Sequence, residues 1–216
     1  MASPRPARPQ QSRGTDDDRR DGDALSLPTP DWLRHDLLVS GPTADVENFQ
    51  KTAAGAGAGA IPWVYPDLAL DEEDRMHALL HPPDGSPGLS LHGARTLARL
   101  LRNAVETHQT RAIAAVGQSR ACPLDLHALV PISENVLARG PDDPASRAWL
   151  RTHWGTTRAL RHVVLHTDKA DRRLRRSAQL RYEFFAADWT PWAVFSTVRA
   201  RWPRVVFEVR PDYGGD

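Results

Sequence analysis

Few residues of this chain have the types and spacing that catalytic chemistry requires. His162 and His166 share one face of a predicted strand. Four residues of extended chain separate them by about 13 Å, which is too far for both to bind one metal ion. Asp125 and His127 offer a carboxylate and an imidazole, but no serine or cysteine motif completes a triad with them. We therefore assign no catalytic residue and no metal ligand, and we predict no cofactor.

The first candidate binding site is formed by residues at the ends of two predicted elements. A helix ends within a Trp-Gly-Thr sequence, and a strand ends before an Asp-Trp pair. The candidate pocket rim therefore consists of Trp154, Gly155, Thr156, Asp188 and Trp189. Convergence of His153, Asp188 and Arg158 there around a closed concavity would favour the hypothesis of an enzyme or a small-ligand protein.

The second candidate site is a basic turn between two predicted strands. Residues 158–181 contain eight Arg or Lys and two Asp, and four of these arginines crowd the turn: Arg172, Arg173, Arg175 and Arg176. Such a turn would contact phosphates without sequence specificity, or bind an acidic partner. The alternative is a solvated hairpin tip whose arginines pair with nearby carboxylates.

Composition limits the partners of the protein. The formal net charge of +1 indicates no general attraction to nucleic acid or to an anionic membrane. The single cysteine, Cys122, excludes a disulfide within one chain. No apolar run approaches the length of a membrane helix and no secretory signal is recognised, so we expect a cytoplasmic protein without membrane contact. Nucleic acid and another protein remain the two open partner classes.

Three regions are predicted along the chain. Residues 1–30 are rich in Pro, Arg and Asp without an apolar face, and are predicted to be a disordered arm. Residues 31–211 form the domain, with a helical insertion at about 61–150, and residues 212–216 form a flexible tail. The glycine-rich run Gly55–Ala60 follows a helix rather than a strand, which is typical of a helix stop and not of a phosphate loop.

Apolar periodicity predicts the elements of the domain. A strand at His35–Gly41 precedes a helix with Val46, Phe49 and Ala53 on one face. The insertion contains an amphipathic helix at Leu91–Val116, which we expect to cover the open face of the sheet, and a helix from Asp142/Asp143 to Gly155.

The second half of the domain continues with two strands, a helix and a final strand. The helix is predicted to begin with Thr190 as N-cap and to bury the stripe Trp192, Phe195, Val198 and Trp202. The fold class is therefore α+β, as a ferredoxin-like split βαβ arrangement: a four-stranded antiparallel sheet with two helices on one face, plus the helical insertion.

The alternation of the strand at 178–186 determines what the open face of the sheet presents. Tyr182 and Phe184 are predicted to face the helices with Leu180, which leaves Arg181, Glu183 and Phe185 on the open face. RNA-recognition motifs stack bases on aromatic side chains of that face. The sequence therefore does not predict a platform of that kind.

Several segments resemble the YubB-type ferredoxin-like domain family. They are "DWLRHDLLVSGPTADVENF", "PLDLHALVPISENV", "WLRTHWGTTRAL" and "YEFFAADWTPWAVFSTVRARWPRVVFEV". The resemblance covers about residues 31–211, and it departs from the family at Thr157-Arg158, where Lys-Trp is common. It implies the fold and an origin on plasmids and phages, and it implies no activity.

We therefore predict a non-enzymatic accessory protein of a mobile genetic element that acts through binding. The alternatives are nucleic-acid binding through the 172–176 turn and a pocket at the Trp154/Trp189 rim.

Overall fold

The computed structural model describes residues 30–166 and 177–213. Residues 1–29 of the predicted N-terminal arm and 214–216 of the predicted C-terminal tail lie outside these residues, whereas Asp212 belongs to the last strand. The described part confirms an α+β chain with a four-stranded antiparallel sheet and seven α-helices. In chain order the elements are β1 (Trp32–Pro42), α1 (Thr43–Ala53), a 3-10 turn (Ala58–Ala60), α2 (Leu68–Leu80), α3 (Leu91–Ala115), α4 (Leu126–Leu129), α5 (Glu134–Leu137), α6 (Pro144–Trp154), β2 (Arg161–His166), β3 (Ser177–Ala187), α7 (Trp192–Arg201) and β4 (Val206–Asp212).

The strands lie in the order β2-β3-β1-β4, and every neighbouring pair is antiparallel. β1 is central, with Leu37 opposite Tyr182 on β3 and Val39 opposite Phe207 on β4. All four side chains are buried on one face, because alternate residues of a strand point to the same side.

Helices α1 and α7 cover that apolar face. The ring of Phe49 on α1 makes edge contacts with Tyr182, Trp202 and Phe207, at centroid distances of 6.3, 5.5 and 5.0 Å. Val46, Phe49 and Ala53 are buried, which confirms the face predicted for this helix. Edge-to-face pairs of this kind add to the free energy gained by burying the rings.

The opposite face of the sheet carries ion pairs. Arg34 lies 2.9 Å from Glu183, and Arg181 lies 3.1 Å from Asp36. Tyr182 and Phe184 are buried on the helix side, so the predicted alternation of β3 is confirmed. The expectation that the 91–116 helix covers this face is wrong, because α3 packs against α2 and the 3-10 turn instead.

Helices α2 and α3 form a hairpin that leaves much of its surface in solvent. No residue of α2 is buried, and α3 buries only Ala94, Ala98 and Ala112. Leu97, Leu100 and other large apolar side chains of the hairpin stay exposed. Among the described helices none combines the length and apolarity needed to cross a bilayer.

Helix α6 begins and ends as its sequence predicts. The Asp143 carboxylate accepts hydrogen bonds from the backbone N–H groups of Ala145 and Ser146, and Pro144 occupies the first turn. Gly155 ends the helix with a φ of 79°, a left-handed conformation that favours glycine.

Helix α7 differs from its prediction at its first turn. Phe195, Val198 and Trp202 are buried, but Trp192 is 51% exposed. Val194 is buried instead of Trp192. The buried face of the helix is centred between Val194 and Phe195, so Trp192 points toward solvent. Pro191 is the N-cap residue, and the Thr190 hydroxyl bonds His35 instead of the helix end.

Candidate ligand-binding cleft

A cleft opens where the first residues of β1 and β2, the C-terminal end of α6 and the insertion meet. It has a volume of about 200 Å³. Most of its lining is apolar or aromatic, and the rest carries hydrogen-bond donors. The lining residues are Trp32, Ala58, Ile61, Trp63, Tyr65, His108, Pro141, Leu150, Trp154, Thr157, Arg158, Ala159 and Arg161.

The aromatic side chains of the cleft are held by backbone bonds. Trp154 is fully buried, and its indole N–H donates to the carbonyl of Val130 over 2.9 Å. Trp63 and Tyr65 lie on an extended segment, which is anchored by the bond from the Val64 N–H to the Leu137 carbonyl at 3.0 Å. These bonds hold the Trp154 side chain and the backbone of the 63–65 segment in place beside the cleft.

Two arginines give the cleft its charge. The Arg158 guanidinium lies 2.9 Å from the Asp142 carboxylate, and the Arg161 guanidinium lies over the Trp32 ring, 4.2 Å from its centroid. No Asp or Glu is among the described residues that line the cleft. Arginine presents several N–H donors in one plane, which suits carboxylate and phosphate groups.

Tyr65 adds a neutral donor between the aromatic wall and the arginines. Burial raises the pKa of its phenol, Asp142 raises it further, and Arg158 opposes both effects. The phenol therefore keeps its proton at neutral pH and is available to donate a hydrogen bond to an anion.

Of the five predicted rim residues, only Trp154 lines this cleft. Thr156 is fully buried, and its hydroxyl donates to the Ala187 carbonyl over 2.8 Å. Gly155 packs so closely on the next helix that an added Cβ would lie 3.0 Å from the backbone nitrogens of Trp192 and Ala193. These two residues therefore join the end of α6 to the β3–α7 connection.

Asp188 and Trp189 also lie outside the cleft. The Asp188 carboxylate accepts hydrogen bonds from the Asp31 N–H and the Thr157 hydroxyl. Trp189 is partly buried, with the Arg151 guanidinium 5.2 Å from its ring centroid. His153 is exposed and stacks on Trp149 with 4.2 Å between the ring centroids. His153, Asp188 and Arg158 therefore make separate contacts and do not gather around one concavity.

The basic turn lies outside the described residues. Its four arginines, Arg172, Arg173, Arg175 and Arg176, fall within 167–176. Nucleic-acid or acidic-partner binding by this turn stays a prediction.

Asp125 and His127 line a second cavity, of about 650 Å³, beside the glycine-rich run. Both carboxylate oxygens of Asp125 and the Nδ1 atom of His127 are bound to backbone groups. Asp125 accepts hydrogen bonds from the N–H groups of Gly57 and His127, and the Nδ1 atom of His127 accepts one from Ile132 over 3.1 Å. Gly55 pairs in both directions with Cys122. The glycine-rich run thus does more than stop α1, because it anchors the segment that follows α3.

Cys122 lacks the character of a nucleophile. Burial raises the pKa of its thiol to about 11, with a smaller contribution from the Asp125 charge. The thiol donates a hydrogen bond to the Leu124 carbonyl over 3.2 Å. A thiol that stays protonated at neutral pH reacts slowly, since the thiolate is the reactive form.

Sequence reasoning missed most of the cleft. Five lining residues were not identified as site residues: Trp32, Trp63, Tyr65, His108 and Arg161. The pair Trp63 and Tyr65 was nevertheless a visible signal, because it lies between two prolines in "PWVYP". These residues are far apart in the chain, and only the tertiary fold brings them together.

Comparison with known proteins adds no further assignment. No protein-family model, curated protein or solved structure matches the chain. Within residues 30–166 and 177–213, no group of three or more His, Cys, Asp or Glu is placed to hold a metal ion. The cleft and its charges are therefore the basis for a functional proposal.

Proposed function

We propose that this protein is a non-enzymatic accessory protein of a mobile genetic element that acts through binding, and that the cleft at Trp154 binds a small anionic ligand. The observation that carries the ligand-binding role is the lining of the cleft. Arg158 and Arg161 line an aromatic concavity, and the Asp142 carboxylate that pairs with Arg158 is not among the described residues of that lining. The accessory role on a mobile element rests on the resemblance to the YubB-type family alone.

We also propose that the domain has the ferredoxin-like split βαβ arrangement. Support comes from the strand order β2-β3-β1-β4, from the antiparallel pairing, and from the placement of α1 and α7 on one face of the sheet. The helices α2 to α6 would then be the insertion between α1 and β2.

The state of Cys122 and His127 argues against a catalytic role for these two residues. A general base needs a free lone pair near the substrate, and a nucleophile needs a lowered pKa or an adjacent base. The Nδ1 lone pair of His127 is occupied by the Ile132 N–H, and the Cys122 thiol is protonated. Arg158 and Arg161 by contrast line the cleft, and each guanidinium carries several N–H donors in one plane.

The test measures charge selectivity with two ligands of one shape. Benzoate and benzamide are titrated into the full chain by calorimetry, with tryptophan fluorescence as a second readout. We expect benzoate to bind at least tenfold more tightly than benzamide, because charge-assisted hydrogen bonds are about twice as strong as neutral ones. The Arg158→Gln/Arg161→Gln double variant should lose this difference.

Arg139→Gln is the matched control. Arg139 is exposed and does not line the cleft, so this variant should keep the benzoate affinity of the unmodified chain. Equal binding of benzoate and benzamide, or an unchanged benzoate affinity in the double variant, would contradict the proposed site.

A further inference from the structure

A groove along helix α3 adjoins the cleft. The groove has a volume of about 490 Å³ and is lined by Tyr65, Arg75, Leu101, Ala104, Val105 and His108. Tyr65 and His108 also line the cleft, so the two spaces adjoin on either side of these side chains. Together they have a size typical of small-molecule sites, whereas the cleft alone is below the usual range.

The two spaces differ in polarity. Arg158 and Arg161 bring two guanidinium groups to the cleft, whereas the Thr157 hydroxyl donates to Asp188. The groove is lined by Leu101, Ala104 and Val105, with Arg75 as its one charged residue among those the structure describes. Leu101 is 42% exposed, so the groove presents an apolar surface to water. Burying such a surface against an apolar chain is favourable.

We propose that the ligand of this protein is an amphipathic anion, with one carboxylate or phosphate head group and an unbranched apolar chain. The head group binds Arg158 and Arg161 in the cleft, and the chain passes Tyr65 and His108 into the groove beside Leu101. This inference rests on the proposed function and adds the class of ligand to it.

The orientation of the ligand follows from the number of donors. The cleft offers two guanidinium groups and the protonated Tyr65 phenol, and Tyr65 stands where the two spaces meet. The groove offers one guanidinium beside three apolar side chains. An anionic head group gains more hydrogen bonds in the cleft than in the groove. An apolar chain in the groove leaves fewer buried donors without a hydrogen-bond partner than it would in the cleft.

The test compares ligands that differ only in chain length. Acetate, hexanoate and decanoate are titrated into the full chain below the critical micelle concentration, with 1-decanol as the uncharged analogue. We expect the affinity to rise roughly two- to fourfold for each added methylene, because each methylene buries apolar surface. Decanol should bind at least tenfold more weakly than decanoate.

Two substitutions on α3 separate the groove from general hydrophobic adsorption. Ala104→Trp fills the groove at an exposed position, where a large side chain does not disturb the core. It should reduce decanoate affinity at least tenfold and leave benzoate affinity unchanged. Ala114→Trp places the same side chain on an exposed position of α3 outside the groove and should change neither affinity.

The orientation is tested at the two ends. The Arg158→Gln/Arg161→Gln variant should lose decanoate binding, whereas Arg75→Gln should change it less than threefold. A larger loss in Arg75→Gln than in the double variant would overturn the orientation.

The outcomes distinguish this inference from the proposed function. Charge-selective benzoate binding with no chain-length dependence from acetate to decanoate would overturn the amphipathic ligand and leave the anion site intact. Failure of both benzoate and decanoate to bind would overturn both proposals. Equal decanoate binding by Ala104→Trp and the unmodified chain would also contradict the groove.

Discussion

His35 shows how one buried polar side chain links the sheet to the chain that enters α7. It is fully buried and stacks on Phe184, with 5.1 Å between ring centroids. The Leu33 carbonyl can only accept, so Nδ1 carries the proton and donates to it over 2.9 Å. Nε2 is then the acceptor for the Thr190 hydroxyl, also at 2.9 Å. The neutral ring is thus the form that the fold requires.

This arrangement predicts a pH dependence of stability. Burial lowers the pKa of His35 below its usual 6.5, and the bond to Leu33 opposes that effect in part. The unfolded chain therefore binds this proton at higher pH than the folded chain. The contribution of His35 is fully present above the unfolded-state pKa and is lost as the pH falls toward the lower folded-state pKa.

The measurement is urea unfolding at about pH 7.5 and about pH 5. The unmodified chain should lose more free energy of unfolding over this interval than His35→Gln. His127 has a lowered pKa for the same cause, so His35→Gln should keep part of the slope. The exposed His92 provides the control, since His92→Gln should retain the full slope. Parallel pH profiles for His35→Gln and the unmodified chain would contradict the prediction.

Thr156 carries a second residue-scale prediction. Its buried hydroxyl is a donor to the Ala187 carbonyl, so Thr156→Val would leave that carbonyl without this partner. We expect Thr156→Val to lower the free energy of unfolding by about 1–2 kcal/mol. Thr110→Val removes a similar bond, to the Glu106 carbonyl, on the exposed face of α3, and should cost less than about 0.5 kcal/mol. Equal costs at the two positions would show that burial of the Thr156 bond does not matter.

At the scale of elements, the junction between α6 and α7 determines where Trp154 lies. Gly155 has a left-handed conformation, and it also sits against the backbone of Trp192 and Ala193. The helix end that carries Trp154 can approach α7 only because position 155 has no Cβ. The geometry of the cleft therefore depends on a residue that does not line it.

Two glycine substitutions test this junction. Gly85 has a φ of 73°, close to that of Gly155, but an added Cβ there would meet no atom within 4 Å. Gly85→Ala should therefore cost only the left-handed conformation, about 1–2 kcal/mol. Gly155→Ala should cost at least about 1 kcal/mol more, because the added methyl group must displace backbone. Chemical unfolding measures both, and a Gly155→Ala cost no larger than that of Gly85→Ala would argue against the close approach.

The described part of the molecule combines a well-buried sheet layer with a less buried helical hairpin. β1 and β3 pair over eleven positions and place Leu37, Tyr182 and Phe184 in the core. The hairpin of α2 and α3 buries three alanines and makes its remaining principal contact with the 3-10 turn. Local stability follows the amount of buried apolar contact.

Hydrogen exchange should resolve this difference. We expect backbone amides of α2 and α3 to exchange at least tenfold faster than those of β1 and β3, because the hairpin can open without breaking the sheet. The measurement is native-state exchange followed by mass spectrometry, and α6 serves as an internal reference within the insertion. Equal protection of the hairpin and the sheet would mean that something covers the exposed leucines of α3. Decanoate should slow exchange in α3 if the groove binds it.

Much of the local structure was predictable from the residues. The alternation of β3 placed Tyr182 and Phe184 in the core, and Asp143, Pro144 and Gly155 marked the two ends of α6. Caps and alternation are local properties, since they depend on the dihedral angles and side chains of a few consecutive residues. Trp192 was placed wrongly because periodicity gives a helix an apolar stripe but does not give its rotation against the sheet.

The sequence by itself determined the α+β class, the antiparallel strands and most element boundaries, because these follow from short-range periodicity and capping. Only the tertiary structure decided that Trp32, Tyr65, Trp154 and Arg161 line one cleft, and that Asp188 and Trp189 do not. The strand register and the path of the insertion bring together residues more than a hundred positions apart. No local pattern encodes such a meeting, because it depends on how complete elements pack on one another.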